Sequence, residues 1–168
     1  MPITGLGRDR SSWFKLAELW VAALVMNIAG GVVVALLLTS QGVLPSGTSL
    51  ALVRVADHLA GYDPTTAFLS AIAAGALMTL MTWFVEGAAD SHGVRIVMAW
   101  LVGTLIALGA FNHAIVSTIE LVFGMRYGTG IGIEQLFANL GVSVAGNLVG
   151  GLLLVTFARS AQALGAAR

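Results

Sequence analysis

Four stretches of the chain are apolar over roughly the length needed to cross a bilayer, and none carries lysine or arginine in its interior: Leu19–Thr39, Ala67–Val85, Ile96–Gly124 and Leu136–Phe157. About 20 such residues span a hydrocarbon core. In lipid every backbone N–H and C=O must be satisfied within the protein, which leaves helices or a closed barrel. Runs of this length, without strand alternation, predict helices. Composition agrees: 58% of the residues are hydrophobic and 10% charged, against roughly 25% charged in a soluble domain. The expected fold is an all-α integral membrane bundle of four spans.

The polar residues narrow the function. Formal net charge is zero and there is no basic run, so nucleic acid is not a suggested partner. The chain has no cysteine, which removes disulfides and thiolate chemistry. No H-E-x-x-H pattern or other metal-ligand spacing occurs, and an intramembrane enzyme would need several convergent groups that are not evident. Neither an enzyme nor a cofactor or metal is expected. The first apolar run is too long for the core of a signal peptide and reads as a retained span.

Cationic residues set the orientation. Arg8, Arg10, Lys15, Arg95, Arg159 and Arg168 fall on one side of a four-span arrangement, and Arg54 and Arg126 on the other. The positive-inside rule places both termini in the cytoplasm of a cell-membrane protein. Residues 1–18 are then a cytoplasmic segment, 19–159 the membrane domain and 160–168 a cytoplasmic tail. In the outer loop, Thr48 or Ser49 is an expected N-cap and Gly61 a stop for a short amphipathic interfacial helix. Asp63 is placed to cap the next span, with Pro64 in its first turn. His58 and His92 read as solvated surface residues.

One pattern occurs twice. Asn27-Ile-Ala-Gly30-Gly31 lies in the first run and Asn147-Leu-Val-Gly150-Gly151 in the last. With four spans these copies lie on antiparallel helices, as an inverted-topology repeat requires. A unit that inverts on duplication has an odd number of spans, here three, ending in the Asn-Gly-Gly helix. Too few residues precede Asn27 for two further spans. The chain therefore reads as one whole repeat plus the last third of another, an N-terminally shortened form of a six-span protein. Gly30, Gly31, Gly146, Gly150 and Gly151 give flat faces for close helix packing. Asn27 and Asn147 are expected to form hydrogen bonds between helices.

The third run is too long. As a straight helix, residues 96–124 would measure about 43 Å, whereas the hydrocarbon core is about 30 Å. Gly109, Asn112 and His113 supply the means for a break, with Ala114–Gly124 as an outer half-helix. His113 would then lie near the midplane, where an ionisable side chain marks a pathway by default. Asn112, Ser117 and Glu120 are its candidate neighbours; Glu120 can pair with His113 or lie near the outer mouth.

The segments GAFNHAIVSTIELVFG and AGNLVGGLLLVTFAR, with LVRVADHLAGYDPTTAFLSAIAAGALMTLMTWFV before them, resemble the formate/nitrite transporter family. The likeness runs from about Glu18 to Arg159. It implies an aquaporin-like fold of inverted three-span halves, and a homopentamer with one pore per protomer. It also implies passage of small monovalent anions such as formate or nitrite, with or without a proton. A pore histidine in a broken helix matches His113. The family's first two spans have no counterpart. Gly75, Ala76, Leu77, Met78 and Thr79 stand where many members have Gly-x-Leu-Cys-Asn, which adds Thr79 to the pathway candidates. Ser117 stands where an Asn is common. The alternative function is a truncated, non-transporting membrane subunit or packing partner.

Overall fold

The computed structural model describes residues 10–88 and 90–166. Six helices form within them: α1 (Arg10–Leu38), α2 (Thr48–Ala60), α3 (Pro64–Gly87), α4 (His92–Leu108), α5 (Ala114–Arg126) and α6 (Ile133–Ala166). No strand occurs among the described residues. Residues 13–38 of α1, all of α3 and residues 133–155 of α6 are long and apolar enough to cross a membrane; α4 is apolar but shorter.

Two expected boundaries fall inside helices. α1 begins at Arg10 and α6 runs on to Ala166, so each helix continues through its boundary position, 19 or 159. No proline interrupts either segment, and the edge of a bilayer does not end a hydrogen-bonded helix. The remainder of the two expected terminal segments, residues 1–9 and 167–168, lies outside the described residues.

The short helices show how local chemistry sets ends. α2 begins at Thr48, one residue earlier than a Thr48 cap would allow, and its cap is Gly47 at a φ of 87° with no side-chain bond. The left-handed turn is open to glycine and takes the place of the expected hydroxyl cap. Gly61 closes α2, its N–H donating to the Asp57 and Leu59 carbonyls. α3 follows the simpler rule: Asp63 accepts from the Thr65 and Thr66 N–H groups, and Pro64 occupies the first turn, where its missing N–H costs nothing.

Two packing centres hold the bundle. Ala56 and Leu59 of α2, Leu121 of α5, Ile131 of the link between α5 and α6, and Leu136 of α6 form an apolar cluster. The second centre is the seam between α3 and α6, lined on α3 by the buried Ala67, Ala71, Ala74 and Gly75. A methyl group added at Gly150 would strike the Ile72 carbonyl, and one at Gly75 would strike the Asn147 backbone. At Gly146 it would lie 2.8 Å from the Phe68 carbonyl oxygen. Backbones this close require small residues, which is how helices associate where lipid removes the hydrophobic drive. α1 leans on α5, with Gly31 under the Ile119 side chain. Much of its remaining surface is exposed, Met26 at 70% and Phe14 at 75%.

The third apolar run is two helices. α4 stops at Leu108, and Gly109 caps it by donating to the Leu105 carbonyl at 2.9 Å. Ala110 then turns into the left-handed region at a φ of 47°, and α5 starts four residues later.

Candidate functional site: the helix break and its cavity

An unwound segment inside a membrane bundle needs polar partners for its backbone, and α3 and α6 supply them. The Asn112 N–H donates to Ser70 Oγ at 3.0 Å. Asn112 and Asn139 exchange two amide hydrogen bonds of 2.9 and 3.0 Å. Asn112 Nδ2 also donates to the Ala67 carbonyl at 3.3 Å, and Ser143 Oγ donates to Asn112 Oδ1 at 2.8 Å. Asn112 is fully buried, with both amide protons and its oxygen engaged, so it acts as a bolt between α3, α6 and the break.

Asn147 is the second bolt. Its Nδ2 donates to the Ala71 carbonyl at 2.8 Å and to the Asn112 carbonyl at 3.1 Å, and its Oδ1 accepts from the Ala114 N–H at 3.0 Å. One side chain on α6 thereby satisfies an acceptor on α3, an acceptor in the break and the first donor of α5.

His113 is the N-cap of α5. Its Nδ1 accepts from the Val116 N–H at 3.4 Å. An accepting Nδ1 carries no hydrogen, so the neutral ring holds its proton on Nε2, a donor. His113 lines a cavity of about 510 Å³ between α1, α3, α5 and α6. Most of the wall is apolar, including Trp20, Leu24, Met78 and Val144, and the other polar residues in it are Asn27, Thr79 and Asn147. Thr79 Oγ1 donates to the Gly75 carbonyl at 3.0 Å, and Asn27 Nδ2 to the Ala23 carbonyl at 2.7 Å. The positive end of the α5 dipole and an imidazole donor thus meet at one apolar cavity, an arrangement that suits negative charge.

A family model described as formate/nitrite transporter matches residues 1–161. The chain belongs to this family. Members of this family are membrane channels and transporters rather than enzymes, and the chain is an integral, multi-pass membrane protein. The chain is also similar to the inner membrane protein YfdC of Escherichia coli strain K12, at 28% identity over 148 residues. That match takes in 88% of this chain but 46% of YfdC, so the chain spans about half the length of the curated relative. No solved structure gives a significant match.

Within this member of the family the residues singled out by sequence separate into two groups. His113 and Thr79 meet at the cavity, joined there by Asn27 and Asn147, while Asn112, Ser117 and Glu120 do not line it. Ser117 is fully buried and its Oγ has no hydrogen-bond partner. Glu120 is half-buried further along α5, and the His113 Nδ1 is taken by Val116. Asn27, expected to bond between helices, turns back on its own. Ser70, Asn139 and Ser143 were not singled out. For two of them a signal existed: Asn139, Ser143 and Asn147 recur every four residues, a polar stripe along one face of an otherwise apolar helix.

Proposed function

We propose that the chain forms part of a pathway for small monovalent anions of the formate/nitrite class, with His113 as the group that meets the anion. The observation that carries this is the cavity at the start of α5, where the imidazole and the helix N-terminus face a largely apolar space. Low polarity strengthens any attraction between such donors and an anion. Thr79 adds a hydroxyl to the wall. Ser117 and Glu120 extend the pathway along α5, outside this cavity, and Asn112 serves it by fixing the break. An inverted aquaporin-like repeat, five protomers each with its own pore, cytoplasmic termini and an optional proton accompanying the anion complete the reading. They rest on the family resemblance and the placement of charge.

The test is flux of formate and nitrite into proteoliposomes. His113→Ala should lower the rate at least about tenfold, the scale of one lost charge-assisted hydrogen bond. His113→Gln, which keeps an N–H donor, should retain more. Equal flux in all three proteins removes the assignment.

A second reading is favoured by the exposure of α1: a membrane subunit that transports nothing alone and packs against other helices. A silent purified chain that gains flux when a two-span partner is expressed with it would be one part of a split transporter. A chain silent in both conditions would be a packing subunit.

A further inference from the structure

The break carries one feature that the bolts on α6 do not explain. Ala110 holds a left-handed conformation, φ 47°, which costs energy for any residue with a Cβ. Such a residue persists only where its surroundings over-determine it. Asn112 and Asn147 pin positions 112 to 114. The end of α4 shapes the turn at Ala110 through two backbone bonds of 3.4 Å, from the Ala110 N–H to the Ala107 carbonyl and from the Phe111 N–H to the Ile106 carbonyl, as in a Schellman cap. The side chain that holds it is Tyr62, in the short link between α2 and α3, whose Oη lies 3.2 Å from the Ala110 carbonyl oxygen.

The hydroxyl has one proton, and a carbonyl can only accept, so the proton goes to Ala110. Tyr62 Oη also lies 3.0 Å from His58 Nε2. With its proton committed, the hydroxyl can only accept there, which requires a hydrogen on Nε2. The two rings meet edge to face at 5.0 Å, fixing the direction of the hydroxyl. Tyr62 also packs against the cluster of Ala56, Leu59 and Leu121. The chain His58–Tyr62–Ala110 therefore ties the peripheral helix α2 to the strained corner two residues before Asn112.

We infer that Tyr62 is a positioning residue: oriented by His58, it latches the left-handed turn at Ala110 and so sets where the break, and His113 at its end, sits. The latch stands whether or not anions pass. Only its consequence for flux rests on the function proposed above.

The experiment compares four forms of the full chain in lipid nanodiscs: wild type, Tyr62→Phe, Ala110→Gly and the double variant. The readout is amide exchange over residues 109–114. Tyr62→Phe keeps the ring and its packing and removes only the hydroxyl. Exchange in this segment should rise roughly three- to tenfold, the effect of one net hydrogen bond. Glycine tolerates the left-handed turn, so in the Ala110→Gly background the same change should raise exchange less than about twofold. An equal rise in both backgrounds would make the Tyr62 hydroxyl an ordinary hydrogen bond with no bearing on the left-handed turn, and no rise in either would remove the latch. Flux measured on the same four proteins then reports separately on whether the corner controls transport.

Discussion

The two Asn-x-x-Gly-Gly copies share a sequence and have opposite fates. On α6 the motif is fully engaged: Asn147 bonds to α3, the break and α5, and Gly150 lies against the Ile72 backbone. On α1 the motif is nearly idle. Asn27 bonds to its own helix, Gly30 faces open space, and Gly31 meets only the Ile119 side chain. The motif itself therefore does not dictate a contact. It makes a flat, hydrogen-bonding face that works only when a partner with small residues, such as Ala71 and Gly75 of α3, lies opposite. Of the α1 copy, only Gly30 is left for helices from outside this chain in the second reading proposed above, since Asn27 lines the cavity and Gly31 meets α5.

The largest effect should separate the glycines. Gly150→Val places methyl groups on the backbone of α3, where neither helix can move aside locally. Overpacking of this kind costs about 3 kcal/mol, enough to lower the unfolding midpoint in detergent or abolish folding. Gly30→Val meets nothing in this chain and should shift stability by less than about 0.5 kcal/mol. Equal losses would mean that α1 is packed as tightly as α6, and the contrast between the copies would fail. A loss at Gly30 that appears only when a second membrane polypeptide is present would sharpen it, by locating the missing partner.

The asparagines test the same contrast through hydrogen bonds. Asn147→Leu has similar volume and removes three bonds between separate elements. At about 0.6 kcal/mol for each interhelical bond in a bilayer, the loss is about 2 kcal/mol. It also frees the Asn112 carbonyl and the Ala114 N–H, so the start of α5 should exchange faster. Asn27→Leu removes one bond within a helix whose backbone is already paired, and less than about 0.5 kcal/mol is expected. Denaturant unfolding of both variants in one lipid decides the matter, and comparable losses would refute the asymmetry.

These differences show what the sequence could and could not convey. The break was legible because the third run is too long and because Gly109, Asn112 and His113 interrupt it. α5 begins at Ala114, where the polar pair ends. The Asp63 cap was legible because an N-cap is a local event. The direction of Asn27 was not, since it depends on what lies opposite α1. The role of Asn112 was hidden for the same reason: its amide partner, Asn139, is on another helix. The spacing of Asn139, Ser143 and Asn147 was a readable stripe. Its meaning required knowing that Ser70 and the break face it. Tyr62 gave no sequence signal at all, because the turn it holds at Ala110 depends on a backbone angle that composition does not encode.

The smallest effect concerns α3, the partner that engages the α6 copy. Its first two turns carry Ala67 and Phe68, whose carbonyls face Asn112 and Gly146, and it is capped by Asp63. The Thr66 hydroxyl, then the Thr66 and Thr65 N–H groups, bond to the carboxylate and hold the Asp63 pKa below its ordinary value of 3.8. The contribution of the cap is therefore complete above that value and is lost as pH falls through the lower, folded one. Between pH 7 and 5 nothing should change. Below about pH 4 the amide resonances of Thr65 and Thr66 should shift together, with a midpoint under the ordinary carboxylate value. α2, capped by Gly47 without a side-chain bond, offers an internal control, because its first turn has no carboxylate to titrate. In Asp63→Asn the shifts should vanish while the α6 contacts persist at neutral pH. A midpoint at or above 3.8, or the same titration in Asp63→Asn, would show that the cap does not support the engaged copy in this way.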